Sequence, residues 1–206
     1  MTRLLAVSLL VIASFAHAQT AFPPPQPTWP RGPYAGVLAG GSEAKPGCVG
    51  VLAGGGRDCD ATDLAFGVFA GAQFHRLLGA EIGYVNFGEM KASSTGPAST
   101  ASQSVKADAF DVALVGFLPL DALLETAKSR FSLFVRGGGY RAKLNTTVGG
   151  VPDSTNSGFT YGGGIQYDIT QKIGVRGLFQ RYKRVGRDPY GNNNYDVLGI
   201  SALYRF

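Results

Sequence analysis

From about Pro33 to Phe206, apolar and polar positions alternate with a period of two, in segments bounded by Gly, Pro, Asn and Ser. The pattern predicts eight strands, at about 33–43, 63–74, 78–90, 105–118, 130–143, 157–168, 172–185 and 195–206. In the last strand Leu198, Ile200, Ala202, Tyr204 and Phe206 share one face, and Val197, Gly199, Ser201, Leu203 and Arg205 share the other. Over 157–168, Phe159, Tyr161, Gly163, Ile165 and Tyr167 oppose Thr160, Gly162, Gly164, Gln166 and Asp168. Over 172–185, Ile173, Val175, Gly177 and Phe179 oppose Gly174, Arg176, Leu178 and Gln180. One face is therefore aliphatic with aromatics towards its ends, while the other mixes glycine, small polar residues and a few charges. No run approaches the roughly 18 apolar residues of a membrane-spanning helix.

A soluble sandwich also has short alternating strands, so the connections have to decide. They alternate in length. His75–Leu77, Pro119–Ser129 and Ile169–Gln171 are the shorter links, whereas Ala44–Thr62, Ala92–Ser104, Leu144–Asn156 and Gly186–Asn194 are longer and polar. Short turns on one side and long loops on the other describe a barrel in an outer membrane, with periplasmic turns and extracellular loops. An even strand count returns the chain to the side it started from, and the last strand runs to the final residue. The expected architecture is all-β: an eight-stranded antiparallel up-and-down transmembrane β-barrel over residues 33–206. A soluble ligand-binding barrel would require the reverse polarity, apolar inside and polar outside.

The first residues have a different pattern. Arg3 precedes an apolar run from Leu4 to Phe15, and Ala16-His17-Ala18 is a small-x-small cleavage box. Residues 1–18 are expected to be a signal peptide cut between Ala18 and Gln19, which places the protein in a Gram-negative envelope. Residues 19–32 hold Pro23, Pro24, Pro25, Pro27 and Pro30 and read as an extended Pro-rich periplasmic tether. Composition agrees with strands and tight turns: 30 of 206 residues are Gly, without a collagen period, and only 16% are charged. The net charge of +5 is not gathered into a basic arm, so nucleic acid is not an expected partner.

Export also makes the two cysteines interpretable. Cys48 and Cys59 flank a Gly-rich stretch in the first long loop, and in an oxidising compartment they are expected to pair. Closing so short a loop would stabilise by roughly 2–3 kcal/mol on the loop-entropy estimate. His75 is the one His left after cleavage, no metal site is expected, and no cofactor is called for. On the inward parity, Gly67, Gly71, Gly83, Gly138, Gly162, Gly164, Gly174 and Gly199 make room in a lumen only wide enough for side chains. Glu81, Asp111, Arg136 and Arg176 share that parity, and two acids with two bases can form an ion-pair network where a lone charge would be costly. A packed polar core and a narrow or gated solute path are both compatible with this set.

Several of these segments resemble one family. Glu81-Ile82-Gly83-Tyr84-Val85-Asn86-Phe87-Gly88 looks like the third strand of OmpA-like small outer-membrane barrels. Gly163-Gly164-Ile165-Gln166-Tyr167-Asp168-Ile169, followed by Gly174-Val175-Arg176, is similar to that family's sixth and seventh strands. Tyr204-Arg205-Phe206 resembles the terminal signal read by the barrel-assembly machinery, which makes Tyr204 and Phe206 the expected assembly signal and that machinery an expected partner. Two departures bear on function. Leu178 stands where the family often carries Glu, so a lumen gate of the OmpA type does not transfer directly. With the chain ending at Phe206, no cell-wall-binding domain of the full-length OmpA type is expected. Small barrels that act on lipid A need His with Ser and an acid, and His75 falls in a turn on the far side from that substrate. No enzyme is expected.

Cations also appear where lipid should be. Lys106, Arg141, Lys143, Arg181 and Lys183 lie on the lipid-facing parity near the outer-leaflet boundary. Charges at mid-bilayer would cost roughly 2–4 kcal/mol each, falling to about 0–1 at the interface. There they either are simply solvated or hold lipopolysaccharide phosphates through charge-assisted hydrogen bonds. The functional expectation is an integral outer-membrane protein with a structural or surface-interaction role, in contact with lipid and lipopolysaccharide. A small-solute transport barrel and a host-binding, opacity-type adhesin are the alternatives.

Overall fold

The computed structural model describes residues 32–45, 58–95, 100–120, 130–146, 153–186 and 192–206. The expected signal peptide and most of the tether lie outside the described residues. The strands are β1 (Gly32–Lys45), β2 (Asp58–Asp60), β3 (Thr62–His75), β4 (Leu78–Thr95), β5 (Thr100–Pro119), β6 (Phe131–Thr146), β7 (Ser154–Asp168), β8 (Ile173–Val185) and β9 (Asn193–Arg205). Apart from β2, these are the eight strands of the period-two pattern. Each pairs antiparallel with its neighbours, and β1 also pairs with β9 from Tyr34↔Arg205 to Lys45↔Asn194, which closes the ring. It is a closed eight-stranded all-antiparallel β-barrel.

The parity expected from the sequence holds around the barrel. Leu198, Ile200, Leu114 and Val135 are about two-thirds exposed, while Val197, Val115 and Ser201 are buried. A surface this apolar is stable only against acyl chains. Inside, curvature brings strand backbones so close that some inward positions admit no side chain. A Cβ on Gly164 would run into the Gly177 carbonyl oxygen, and one on Gly138 into that of Val112.

Two differences from the sequence pattern lie on the loop side. The expected loop 92–104 is largely a continuation of β4 and β5, paired up to Thr95↔Thr100, and β2 adds to its flank through Cys59↔Ala92. Its Ser, Thr and Ala residues give no hydrophobic alternation, so these strand ends have no signature in the sequence pattern. The second difference is a pair of bulges. In β4 the register shifts between Asn86 and Glu89, with Gly88 at φ +78° and the Glu89 N–H held by Asp63 Oδ2 at 2.7 Å. In the β8–β9 pair it shifts between Tyr182 and Val185, with Arg184 at φ +60°. The Arg184 N–H donates to Asn194 Oδ1 (3.1 Å), and Asn156 Nδ2 donates to the Arg184 carbonyl at 2.5 Å.

These contacts separate two kinds of strand glycine. Gly164→Ala is expected to cost about 1–3 kcal/mol through overpacking. Gly177→Ala, whose Cβ meets nothing within 4 Å, should be nearly neutral. Thermal unfolding in detergent, followed by the mobility shift between folded and heated barrel, measures both.

Candidate functional site

The inward side chains divide the barrel into two levels. In the periplasmic half, Arg176 on β8 reaches across the lumen to Glu81 on β4, with Nη1 at 2.5 Å from Oε1. The Arg176 Nε donates to Gln166 Oε1 at 2.8 Å, and the Tyr34 hydroxyl donates to Glu81 Oε1 at 2.7 Å. Four aromatic rings surround the guanidinium, their centroids 5.0–5.7 Å away: Phe134, Tyr34, Phe69 and Phe117. One step outward, Arg136 on β6 is ion-paired with Asp111 on β5 and lies 3.8 Å from Glu81 Oε2. Asp111 also accepts the Tyr182 hydroxyl at 2.6 Å, and Arg136 donates to Gln180 Oε1 at 3.0 Å. One step inward, Asp168 accepts from Gln166 Nε2 at 2.9 Å and from Arg205 Nη2 at 2.6 Å.

The four charges singled out in the sequence thus stand in one continuous network. The two-plus-two balance is corrected to three acids and three bases, because Asp168 and Arg205 join it. The sequence reading also passed over Tyr34, Gln166, Gln180 and Tyr182. The inward parity of Asp168, Gln166, Gln180 and Arg205 is visible in the alternation, but which of them meet follows from register and curvature: Gln166 lies opposite Arg176, while Arg205 reaches Asp168 and Arg136 reaches Gln180 past an intervening strand.

A second correction concerns the extracellular half, where a mixed polar lumen was expected. It is apolar. Phe87 packs against Tyr182 and Tyr195 with centroids 4.9 and 4.8 Å apart, and Tyr140 packs against Tyr182 at 5.3 Å. Met90, Val105, Leu144, Val185 and Val197 fill the rest. The Tyr195 hydroxyl donates to Met90 Sδ at 3.5 Å. Aromatics above and paired charges below leave a void of about 20 Å³ beside Glu81, Arg136 and Ser201. That is room for about one water.

The outward cations fall into two groups. Arg181 makes a bidentate pair with Asp196 (2.5 and 2.5 Å), with Lys45 Nζ 3.5 Å from the same carboxylate. Lys143 pairs with Asp153 at 3.2 Å. Lys106, Arg141 and Lys183 are exposed and hold no carboxylate among the described residues. Lys183 lies 5.6 Å from the centre of the Tyr161 ring. At the far rim, Tyr204 and Phe206 point outward with rings 5.4 Å apart, and the Phe206 N–H donates to the Pro33 carbonyl at 3.1 Å. Cys59 is in β2, while Cys48, and with it the expected disulfide, lies outside the described residues. His75 is the last residue of β3, and its Nδ1 accepts the Leu77 N–H of the β3–β4 turn at 3.2 Å.

The comparisons agree with this architecture. A family model, the outer membrane protein beta-barrel domain, matches residues 4–206. The chain belongs to that family. No curated protein matches the sequence. Among solved structures, the Neisserial surface protein A is similar with a TM-score of 0.56 at 13% identity, covering 84% of this chain and 97% of that one. Ail, the attachment invasion locus protein of Yersinia pestis, gives 0.53 at 13% identity over 86% of this chain and 100% of that one. OprG of Pseudomonas aeruginosa gives 0.52 at 11% identity over 86% and 98%. At such identities the likeness is one of fold. The family places the protein in the outer membrane, with the aliphatic face of the barrel against lipid.

The network generates a stability prediction. Glu81→Gln and Arg176→Met should each cost about 3–5 kcal/mol, because each leaves an uncompensated buried charge. The double variant should cost clearly less than the sum of the two. Additive effects below 1 kcal/mol in detergent unfolding would refute the coupling.

Proposed function

We propose that the protein is a closed structural barrel of the Gram-negative outer membrane whose cationic outer rim binds lipopolysaccharide phosphates. The observation that carries the first part is the two-level lumen. A hydrated ion entering from the periplasm would meet three interlocked ion pairs, then a layer of packed aromatics. The Tyr140, Tyr182 and Tyr195 hydroxyls in that layer are already committed to the Lys183 carbonyl, Asp111 and Met90. Small-solute transport is disfavoured on the same ground. The protein is read as non-catalytic: His75, the one His outside the expected signal peptide, lies at the β3–β4 turn with its Nδ1 accepting the Leu77 N–H. Planar-bilayer recordings of the refolded barrel should show no discrete conductance above lipid baseline. Regular open states would transfer the protein to the transport class.

The second part rests on Lys106, Arg141 and Lys183, which keep donors available for phosphate oxygens. Arg181 and Lys143, grouped with them on sequence grounds, are held by carboxylates and contribute less. Replacing Lys106, Arg141 and Lys183 by Gln should lower co-purified lipopolysaccharide several-fold and leave folding in simple detergent unchanged. Retention at the wild-type level would make these residues solvated strand ends. Tyr204 and Phe206 are assigned to assembly, as outward aromatics on the strand that closes the ring against β1.

A surface-interaction role is favoured by one further feature. β4 and β5, at 18 and 20 residues, are the longest strands and extend their hairpin beyond the pairing of β5 with β6, which begins at Val105.

A further inference from the structure

Most strand glycines of this barrel have an internal reason to be glycine. Gly162, Gly164, Gly199 and Gly40 sit against the backbone of the neighbouring strand, where a Cβ would collide. Gly177 has none. It lies on the lipid-facing parity in the interior of β8, and a Cβ there would meet nothing within 4 Å. A glycine in a strand interior weakens the strand, and it often marks a place where something from outside comes close.

Gly177 forms part of the floor of a shallow, open depression of about 670 Å³ on the outer wall of β1, β7, β8 and β9. Its walls are Ile165, Phe179, Leu198 and Ile200, all 40–70% exposed to the membrane. The register explains the shape. Ile165, Gly177 and Ile200 form one row across three strands, and Gly163, Phe179 and Leu198 form the next. Bulk and absence of bulk alternate, leaving a furrow between large apolar side chains.

The same strand carries charge just beyond the furrow. Arg181 lies two residues past Phe179 and Lys183 four, distances of about 7 and 13 Å along an extended strand. Arg181 is neutralised by Asp196 through Nε and Nη2. Lys183 holds no carboxylate among the described residues and stands beside the Tyr161 ring. An apolar furrow with a cation at its outer-leaflet end is complementary to a lipid that carries phosphate above an acyl chain.

We propose that this wall is a specific site for one phosphorylated lipid, its acyl chain lying over Gly177 and its phosphate on Lys183. The proposal rests on the lipopolysaccharide reading above, and gives that reading a location and a second, apolar half. The occupant is a lipid because the furrow faces the bilayer along its length.

The test uses the full barrel purified in mild detergent, with purified lipid A as probe and native mass spectrometry as readout. The wild type should retain one lipid A. Gly177→Leu fills the furrow and should lower the bound fraction at least tenfold, while the barrel's folded mobility and thermal unfolding stay unchanged. Ala70→Leu, which adds the same bulk on the outward face of β3, should bind as the wild type does. Should the Leu variant fail to assemble, Gly177→Val carries the same expectation. An uncharged diacylglycerol should bind at least tenfold more weakly than lipid A, and inorganic phosphate should not displace the lipid. Undiminished lipid A on Gly177→Leu would overturn the furrow site and leave the rim reading standing. No lipid A on the wild type would overturn both. Displacement by phosphate alone, or equal binding of diacylglycerol, would overturn the two-part site. Conversion of a wild-type dimer to monomer by Gly177→Leu would overturn it in favour of a second copy of the chain.

Discussion

Closing eight strands leaves an interior in which every inward side chain faces one from the opposite wall, and this constraint governs the rest of the molecule. Arg176 shows what it demands. Its guanidinium is buried, yet Glu81, Gln166 and four ring faces surround it. Those groups come from β1, β3, β4, β5, β6 and β7, so no local segment could have assembled the site. A buried charge without such partners would cost several kcal/mol. The neutral sum of three carboxylates and three guanidiniums is therefore a condition for folding before it can serve any function.

The separation of polar and aromatic levels follows from the same narrowness. Charges that must neutralise one another cluster, because each pair needs contact distance and a second acceptor nearby. The remaining length of lumen is then filled by residues that need no partner. Tyrosines are placed at the boundary: Tyr182 packs edge-to-face with Phe87 and Tyr140 while its hydroxyl donates down to Asp111. One residue thus joins the apolar packing to the charged network.

Much of this was legible in the sequence, for one reason. A β-barrel in lipid is two surfaces interleaved at period two, so strand number, facing and the inward placement of Glu81, Asp111, Arg136 and Arg176 follow from alternation alone. What alternation cannot give is which inward residues meet. The pairing of Asp168 with Arg205 links β7 to β9 across β8, and the Tyr34 hydroxyl reaches Glu81 across β3, the strand between β1 and β4. The upper ends of β4 and β5 were read as loop because Ser, Thr and Ala there alternate with nothing. Their strand character comes from mutual pairing, which carries no hydrophobic signature. The apolar cap was misjudged for a related reason. Inward Phe87, Tyr140, Tyr182 and Tyr195 each lie nine or ten residues from the turn-side ends of β4, β6, β8 and β9, so their shared level follows from counting along the strands, whereas alternation alone gives only their facing.

The outer rim shows how register turns a composition into a selective surface. Five cations of the same parity look equivalent along the chain. Antiparallel pairing sets Asp196 directly opposite Arg181, and the two carboxylate oxygens take two of the guanidinium's five donors in a fork. Lys143 finds Asp153 beyond the end of its strand partner. Lys106, Arg141 and Lys183 face outward from β5, β6 and β8 without that neutralisation among the described residues. An anion arriving from the outer leaflet therefore meets three available cations on one sector of the wall. On β1 and β4, Glu43 and Glu89 stand near Lys45 and Lys91, at 2.9 and 3.9 Å, and Glu89 also lies directly across the β4–β5 ladder from Lys106. The rim is thus uneven in charge although the barrel is regular in backbone. Such unevenness comes from strand pairing: cations of one parity along the chain differ in whether a carboxylate is set across from them, which alternation alone does not carry.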